Sequence, residues 1–579
     1  MPQFDIQIKN GMIVDGARTP RYQGDVWIKD GLIAQLGGES PGDAKQVIDA
    51  KGRIVAPGFV DLHTHYDAQI RWDPWCTISG WHGVTSVVLG NCGFGFAPVK
   101  PDFRDRSMLT MTRTEAIPYE SMKEGMKWEW ESIPEYLDSL DRADKGVNVI
   151  QFMPVASLMT YVMGLEAAKS RPANKEEQAE MKRLLHEGMD AGLCGFSLQR
   201  LGPDSVQADF DGSPMVTDTM VDEDILALAE VLNERGEGVI QITQADGSIR
   251  RDREFLEKLA ATADRPILHN VVVPARIDPE VHRKQLRWID GCRERGLPIF
   301  AQCGTGRTGF AFTLEHWNLY DASPAWRAVT TGSFEEKFEK LQDPDLRQAL
   351  VDEADEADRR LRVIQAGVGG NPKYLIVQSV NDVAELEEFV GKSVGDIAEA
   401  QGKHHIDVMI DLSLAADLKV EFLGPDRGCN AEFMAEMMND STYTIPGVSD
   451  GGAHTKFFCG GSYTTDFLTW LVRDEQVVSL EEAHYRLSNL PAQAAGLHDR
   501  GVLREGGAAD ILVYNMAELA IDPPWIGKIE HDFPGNEWRR IQRAIGYDAI
   551  IVNGEITFEK GTCTGATPGK LLRHGQAAA

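Results

Sequence analysis

Eight apolar runs of strand length, separated by amphipathic stretches of helix length, constrain this chain more than any other feature of its sequence. The runs begin near Ile54, Val84, Val147, Gly192, Gly238, Pro266, Pro298 and Thr444. Helical periodicity falls between them, at Glu176 to Ala191, Glu223 to Arg235, Arg253 to Ala263 and His282 to Arg295. Strand and helix in alternation describe a parallel sheet with crossover helices, and eight such units favour a closed (β/α)₈ barrel over an open sheet. The spacing is uneven: residues near 100–140 and 305–440 are too long for simple βα loops, so they read as insertions covering one end of the barrel.

The two ends of the chain read differently. Phe4 to Val14, Gly24 to Ile33, Ala509 to Val513 and Ala549 to Ile556 are short β-branched or alternating runs, which predict a small β-sandwich built from both termini. Asn10-Gly11 and Asn553-Gly554 stand where hairpin turns would fall. The expected division is residues 1–56 and 491–579 in the sandwich and residues 57–490 in an α/β TIM barrel. At 579 residues the chain is long enough for a large core plus a satellite.

Charge narrows the partners. A formal charge of −30 repels phosphate backbones and anionic lipid, so no nucleic acid and no membrane surface is expected, leaving a small-molecule substrate. The first residues, MPQFDIQIKNGMIVDG, carry no basic segment followed by an apolar one, and no stretch of about 18 apolar residues occurs, so the expectation is a cytoplasmic protein. Homo-oligomer formation is left open. Eight cysteines without a CxxC pair are too sparse for a disulfide scaffold.

The chemistry concentrates at predicted strand ends. Ile54 to His65 is a buried run closing on His63 and His65, and a period of two puts both imidazoles on one side of the strand, where they can hold one metal ion. The run Val84 to Leu89 stops at Gly90-Asn91-Cys92-Gly93, placing a thiol where it could reach the same ion. His269 closes the sixth strand candidate. Asp450, in VSDGGAH at Val448 to His454, closes the last one; a carboxylate there can touch the metal and accept the water proton as general base. Thiolate and imidazole donors select zinc over magnesium or calcium, so one tightly bound Zn²⁺ is expected, with a second weaker ion possible. His404-His405 reads as a solvated helix start. Cys303 to Gly309 reads as a loop after the seventh strand.

These segments together resemble the amidohydrolase superfamily and, within it, the N-acyl-D-amino-acid deacylase (D-aminoacylase) branch. The resemblance is carried by PGFVDLHTHYD at Pro57 to Asp67, GVTSVVLGNCGFGFAP at Gly83 to Pro98, GLCGFSL at Gly192 to Leu198, VSDGGAH, and the tail LPAQAAGLHDRGVLREGGAADILVYN at Leu490 to Asn515. It implies a TIM barrel with a β-sandwich, a zinc site using His63, His65, Cys92, His269 and Asp450, and hydrolysis of an amide-type bond. The branch has a further histidine after the fifth strand where this chain has Gln244, which is taken as substrate-binding together with His454 and Tyr161. The branch also holds its substrate carboxylate with a lysine and an arginine. Here those places read Val271 and Phe457 to Gly461, with Lys456 and Arg307 as the nearby cations.

A buried carboxylate without a cation costs several kcal/mol. That loss, with the Trp and Met enrichment from Trp72 to Met163, predicts a bulky, largely apolar acyl compound as substrate. The alternatives on the same site are a lactone, a cyclic imide, an activated carbon–carbon bond, or a non-catalytic amidohydrolase-like scaffold.

Overall fold

The computed structural model describes residues 2–38, 42–203, 205, 207–274, 278–316, 320, 323–359, 371–424, 429–441 and 443–574. Eight parallel strands make the barrel: β1 Phe59–Asp61, β2 Val84–Leu89, β3 in two pieces Asn148–Gln151 and Met153–Pro154, β4 Gly195–Arg200, β5 Val239–Gln244, β6 Ile267–Val272, β7 Ile299–Gly304 and β8 Thr444–Gly447. β1 to the first piece of β3 form one arc, and the second piece of β3 to β8 form the other. β3 joins the arcs on one side. On the other, a parallel bridge between Thr64 and Gly451, with the His65 amide donating to the Gly451 carbonyl, closes the ring.

Strand register decides which side chains face the axis. Gln241, Leu268 and Phe300 pair across β5, β6 and β7 on one face; Ile242, His269 and Ala301 pair on the other. In a parallel sheet register partners share a face. Leu268 and Phe300 join Val60, Leu62, Val88, Ile150, Val239 and Ile445 in one buried apolar cluster. Ile242 and Ala301 pack with the helices instead, in a cluster that includes Phe255, Leu259 and Ile289.

Those helices start slightly ahead of their expected bounds, and in two of them a side-chain cap sets the start. Asn174 makes a capping box with Glu177 for the helix Lys175–Ala191, and the Ser248 hydroxyl accepts the Arg251 amide for Ile249–Ala263. Asp222–Arg235 and Glu280–Glu294 complete the set that packs on β4 to β7.

A nine-stranded sheet draws on both ends of the chain, running from Thr562–Cys563 through Ile511–Tyr514 to Ile54–Pro57, Phe4–Ile13 and Leu32–Leu36. Ile54–Pro57 therefore belongs to this sheet, and the barrel begins only at Phe59, later than the apolar run suggests. Asn553-Gly554 forms the two-residue turn expected, at φ 45° and 81°. Asn10-Gly11 does not. It sits inside Phe4–Ile13, where the register shifts between Ile8 and Gly11, so the left-handed Asn10 makes a bulge.

The insertions have structure of their own. After β2 come the helices Arg104–Thr114, Tyr119–Gly125 and Ile133–Arg142. Between β7 and β8, the strands Ala311–Phe312, Ile376–Ser379 and Glu421–Leu423 form a small antiparallel sheet with a separate apolar cluster around Val377, Ile410 and Phe422. No helix among the described residues is long and apolar enough to cross a membrane.

Candidate metal centre

Asp61 ends β1, and His63 and His65 follow in the bend just beyond it, all three buried. Ser449 donates to Asp61 at 2.6 Å and the His63 amide to the same carboxyl at 3.2 Å, which fixes the strand end against the loop after β8. Nε2 of His63 lies 3.3 Å from Cys92 Sγ and 3.3 Å from Asp450 Oδ1; Nε2 of His65 lies 3.8 Å from the same Asp450 oxygen. The donor atoms of His63, His65 and Cys92 all fall within 4.8 Å of one another, and all three residues are buried.

Backbone strain holds two of these donors. Cys92 has φ 56° and Asp450 φ 48°, left-handed values that side-chain-bearing residues seldom adopt away from functional sites. Cys92 is flanked by Gly90 and Gly93, both also at positive φ, and a β-carbon on Gly93 would come within 3.2 Å of Ser197 and Leu198 backbone. The close approach of β2 to β4 thus requires glycine.

The donor set fits a metal. Tetrahedral zinc with bonds of about 2.0–2.3 Å separates its ligand atoms by about 3.3–3.6 Å, close to the spacings here. Burial keeps both imidazoles neutral, lowering His63 to about 4 and His65 well below its ordinary value. Nδ1 of each is buried without a hydrogen-bond partner. Burial and the Asp61 charge raise Asp450 to about 7, and burial, then Glu115, push the Cys92 thiol well up. A divalent cation reverses the last two effects by favouring the anions.

The other half of the barrel mouth is neutral. The Gln241 amide oxygen accepts the Cys92 N–H at 2.7 Å, its nitrogen donates to Asn270 Oδ1 at 2.6 Å, and Asn270 donates to the Thr243 hydroxyl at 2.6 Å. That hydroxyl is 3.5 Å from Cys92 Sγ, closing a ring of polar contacts.

Two expectations fail here for one reason, strand parity. His269 is not in the cluster: it lies on the helix-facing side of β6, its ring edge-on to Trp288 at 6.1 Å, and burial, then the Arg253 charge, lowers its pKa to about 4. The axis-facing residue is Asn270. Gln244 is likewise turned outward, accepting from Arg200 at 2.9 Å and donating to Asp252 of the helix Ile249–Ala263 at 2.6 Å. It ties the strand to the helix.

His454 does reach the centre, through a residue the sequence did not single out. Its Nε2 is 3.5 Å from Oε2 of Glu115, which is 3.8 Å from His65 Nε2. Glu115 closes the helix Arg104–Thr114, one acid among 89 acidic residues, and only the folded insertion brings it here.

Beside Cys92, a cleft of about 610 Å³ runs along Gly93 and Phe94, between Phe103, Met111, Tyr161 and Met215. The Phe94 ring is 6.5 Å from that of His65. Tyr161 lines this cleft and donates to Glu131 at 3.3 Å. Lys100, Arg106 and Asp209 line the cleft; Arg106 and Lys169 both bind Asp209, and each lies 3.6 Å from Asp211. Val271 stands 45% exposed, Lys456 is engaged by Glu537 at 2.7 Å, and Arg307 by Asp466 at 2.8 Å. His404 caps the helix His405–Ala415, accepting the Ile406 amide, in keeping with a helix start.

Comparison with known proteins decides what this constellation belongs to. The profile of the amidohydrolase family matches residues 46–558. The chain belongs to the amidohydrolase family. As such it is a metal-dependent hydrolase of non-peptide amide bonds. It is 25% identical to the D-aminoacylase of Alcaligenes xylosoxydans xylosoxydans, covering 98% of this chain and 97% of that one. Similarity to the N-acyl-D-glutamate deacylase of the same organism is 24%, over 99% and 97%. The crystal structure of D-aminoacylase superposes with a TM-score of 0.65 at 21% identity, over 98% of this amidohydrolase and 99% of that chain, which places both on one fold.

Proposed function

We propose that the chain is a zinc-dependent amidohydrolase that cleaves the amide of a bulky, largely apolar acyl compound, with His63, His65, Cys92 and Asp450 holding the metal. The convergence of one thiol, two neutral imidazoles and a carboxylate at one barrel end carries the reading. Such a donor set suits a borderline-soft ion. Zinc bound there supplies a lowered pKa for water and polarises the scissile carbonyl.

The chain's own groups do the rest. Asp450, with an oxygen between His63 and His65, accepts the proton of the attacking water and returns it to the leaving nitrogen. His454 orients substrate at the rim, and Tyr161 bounds the acyl group in the cleft. Phe94, Phe103, Met111 and Met215 exclude water from that group.

Around the positions where the branch carries its clamp, the chain favours a neutral substrate: Val271 is apolar, and Lys456 and Arg307 already have carboxylate partners. Measuring kcat/KM for N-acetyl-D-methionine, N-acetyl-D-glutamate and a hydrophobic neutral amide tests this. The neutral amide is expected to lead by at least about tenfold, since burying an unpaired carboxylate costs several kcal/mol. A clear preference for either free acid overturns the substrate assignment, and a metal-free active enzyme overturns the mechanism.

A further inference from the structure

Glu115 is 1% exposed, yet neither of its carboxyl oxygens has a hydrogen-bond partner. Asp61 and Asp218, also buried at this barrel end, are satisfied, Asp61 by Ser449 and the His63 amide and Asp218 by the Leu201 amide at 2.8 Å; Asp67 shares the orphaned state of Glu115. A carboxylate taken out of water without donors is among the costliest groups a core can hold, unless a cation lies close. The imidazoles of His65 and His454 lie 3.8 and 3.5 Å from a Glu115 oxygen, too far for an N–H to donate well.

The group is held in place rather than left to drift. The Glu115 amide donates to the Met111 carbonyl at the end of its helix, its carbonyl accepts the His454 amide, and the next carbonyl, Ala116, accepts the Thr455 hydroxyl at 3.3 Å. The insertion after β2 is therefore stitched to the loop after β8 at the point where Glu115 points inward. Its oxygen stands as far from His65 Nε2 as the Asp450 oxygen does, 3.8 Å in both cases.

We propose that Glu115 is a metal-directed ligand delivered by the insertion, supplying the donor that β5 and β6, with Thr243 and Asn270 on their inner faces, do not. The inference rests on the metal centre proposed above and adds to it a carboxylate from outside the barrel strands. It explains why the insertion docks on the loop that carries Asp450 and His454, and it makes metal binding and seating of the insertion one event.

The test compares full-length wild type with Glu115→Gln and Glu115→Asp, reading zinc content by elemental analysis, zinc affinity by chelator competition, and melting temperature with and without zinc. In Glu115→Gln, affinity falls by at least about tenfold and the zinc-induced rise in melting temperature shrinks, whereas the zinc-free variant melts no lower than zinc-free wild type because a neutral amide is easier to bury. Affinity within about twofold of wild type, with an undiminished zinc-induced rise, overturns the inference. If zinc-free Glu115→Gln does not fold, Glu115→Asp decides in the same way: it keeps the charge but shortens the reach, so a loss of affinity supports the role and wild-type affinity ends it. A wild type that takes up no metal overturns the function proposed above. A wild type that binds zinc while both variants bind it equally well overturns only the role of Glu115.

Discussion

The two halves of the barrel mouth face each other across the same axis and do opposite things. On the side of β1, β2 and the loop after β8, titratable donors crowd together: His63, His65, Cys92 and Asp450, with several contacts between 3.3 and 3.8 Å. On the side of β5 and β6 the inner faces present Gln241, Thr243 and Asn270, which cannot ionise and which spend their hydrogen bonds on one another and on Cys92. The first half gathers the donors of the proposed metal centre. The second positions its cysteine. Only ligands able to ionise or to offer an imidazole lone pair hold zinc well, so the asymmetry predicts one tight metal position, displaced toward β1, and mutational effects that fall steeply from one half to the other.

The largest effect belongs to the donor half. Cys92→Ala or His63→Ala is expected to lose the bound zinc and at least about a thousandfold in kcat/KM, the scale of several kcal/mol of lost electrostatic stabilisation. Elemental analysis with steady-state kinetics checks it; variants that kept both metal and activity would move the site elsewhere. Asp450→Asn should fold, the side chain being nearly isosteric, and retain zinc on His63, His65 and Cys92, while kcat drops by about a hundredfold for loss of the proton acceptor. Unchanged turnover in that variant would make Asp450 structural. On the neutral half, Gln241→Leu leaves the Cys92 amide without its acceptor and Asn270 without its donor, and a supporting contact of that kind is worth about tenfold in metal affinity. Equal losses from Gln241→Leu and Cys92→Ala would abolish the distinction between the halves.

What the sequence reveals of this arrangement follows from the range of its signals. The strand–helix alternation, the pair of histidines at a period of two, and the glycines around Cys92 are local, so the barrel and its donor half are legible without coordinates. Parity at β6 is not. His269 closes an apolar strand as His63 does, but whether it points inward depends on its register with Ile242 and Ala301, and a one-residue change of parity turns it to the helices. Gln244 is misjudged for the same cause on β5. Glu115 gives no local signal at all, because its position depends on the packing of an insertion against the distant loop around His454. Asn10-Gly11 shows the converse error, a turn dipeptide spent on a bulge within a continuous strand.

The smallest effect is the most discriminating. His269 has the residue type and the strand position of a ligand, but its ring packs edge-on to Trp288 on the outer layer and its Nδ1 is buried without a partner. If orientation decides function, His269→Gln changes neither zinc content nor kcat by more than about twofold and lowers stability by about 1 kcal/mol, the usual worth of such an aromatic contact. The same substitution at His63 removes a donor from the cluster and strips the metal, so the pair isolates geometry from chemistry: one residue type, two strand ends, opposite sides of the wall. Zinc titration of both variants in parallel reads the difference directly. Loss of zinc from His269→Gln comparable to that from His63→Gln would mean that β6 turns its histidine inward when metal binds, and the neutral half of the barrel mouth would then have to be redrawn as a second set of ligands.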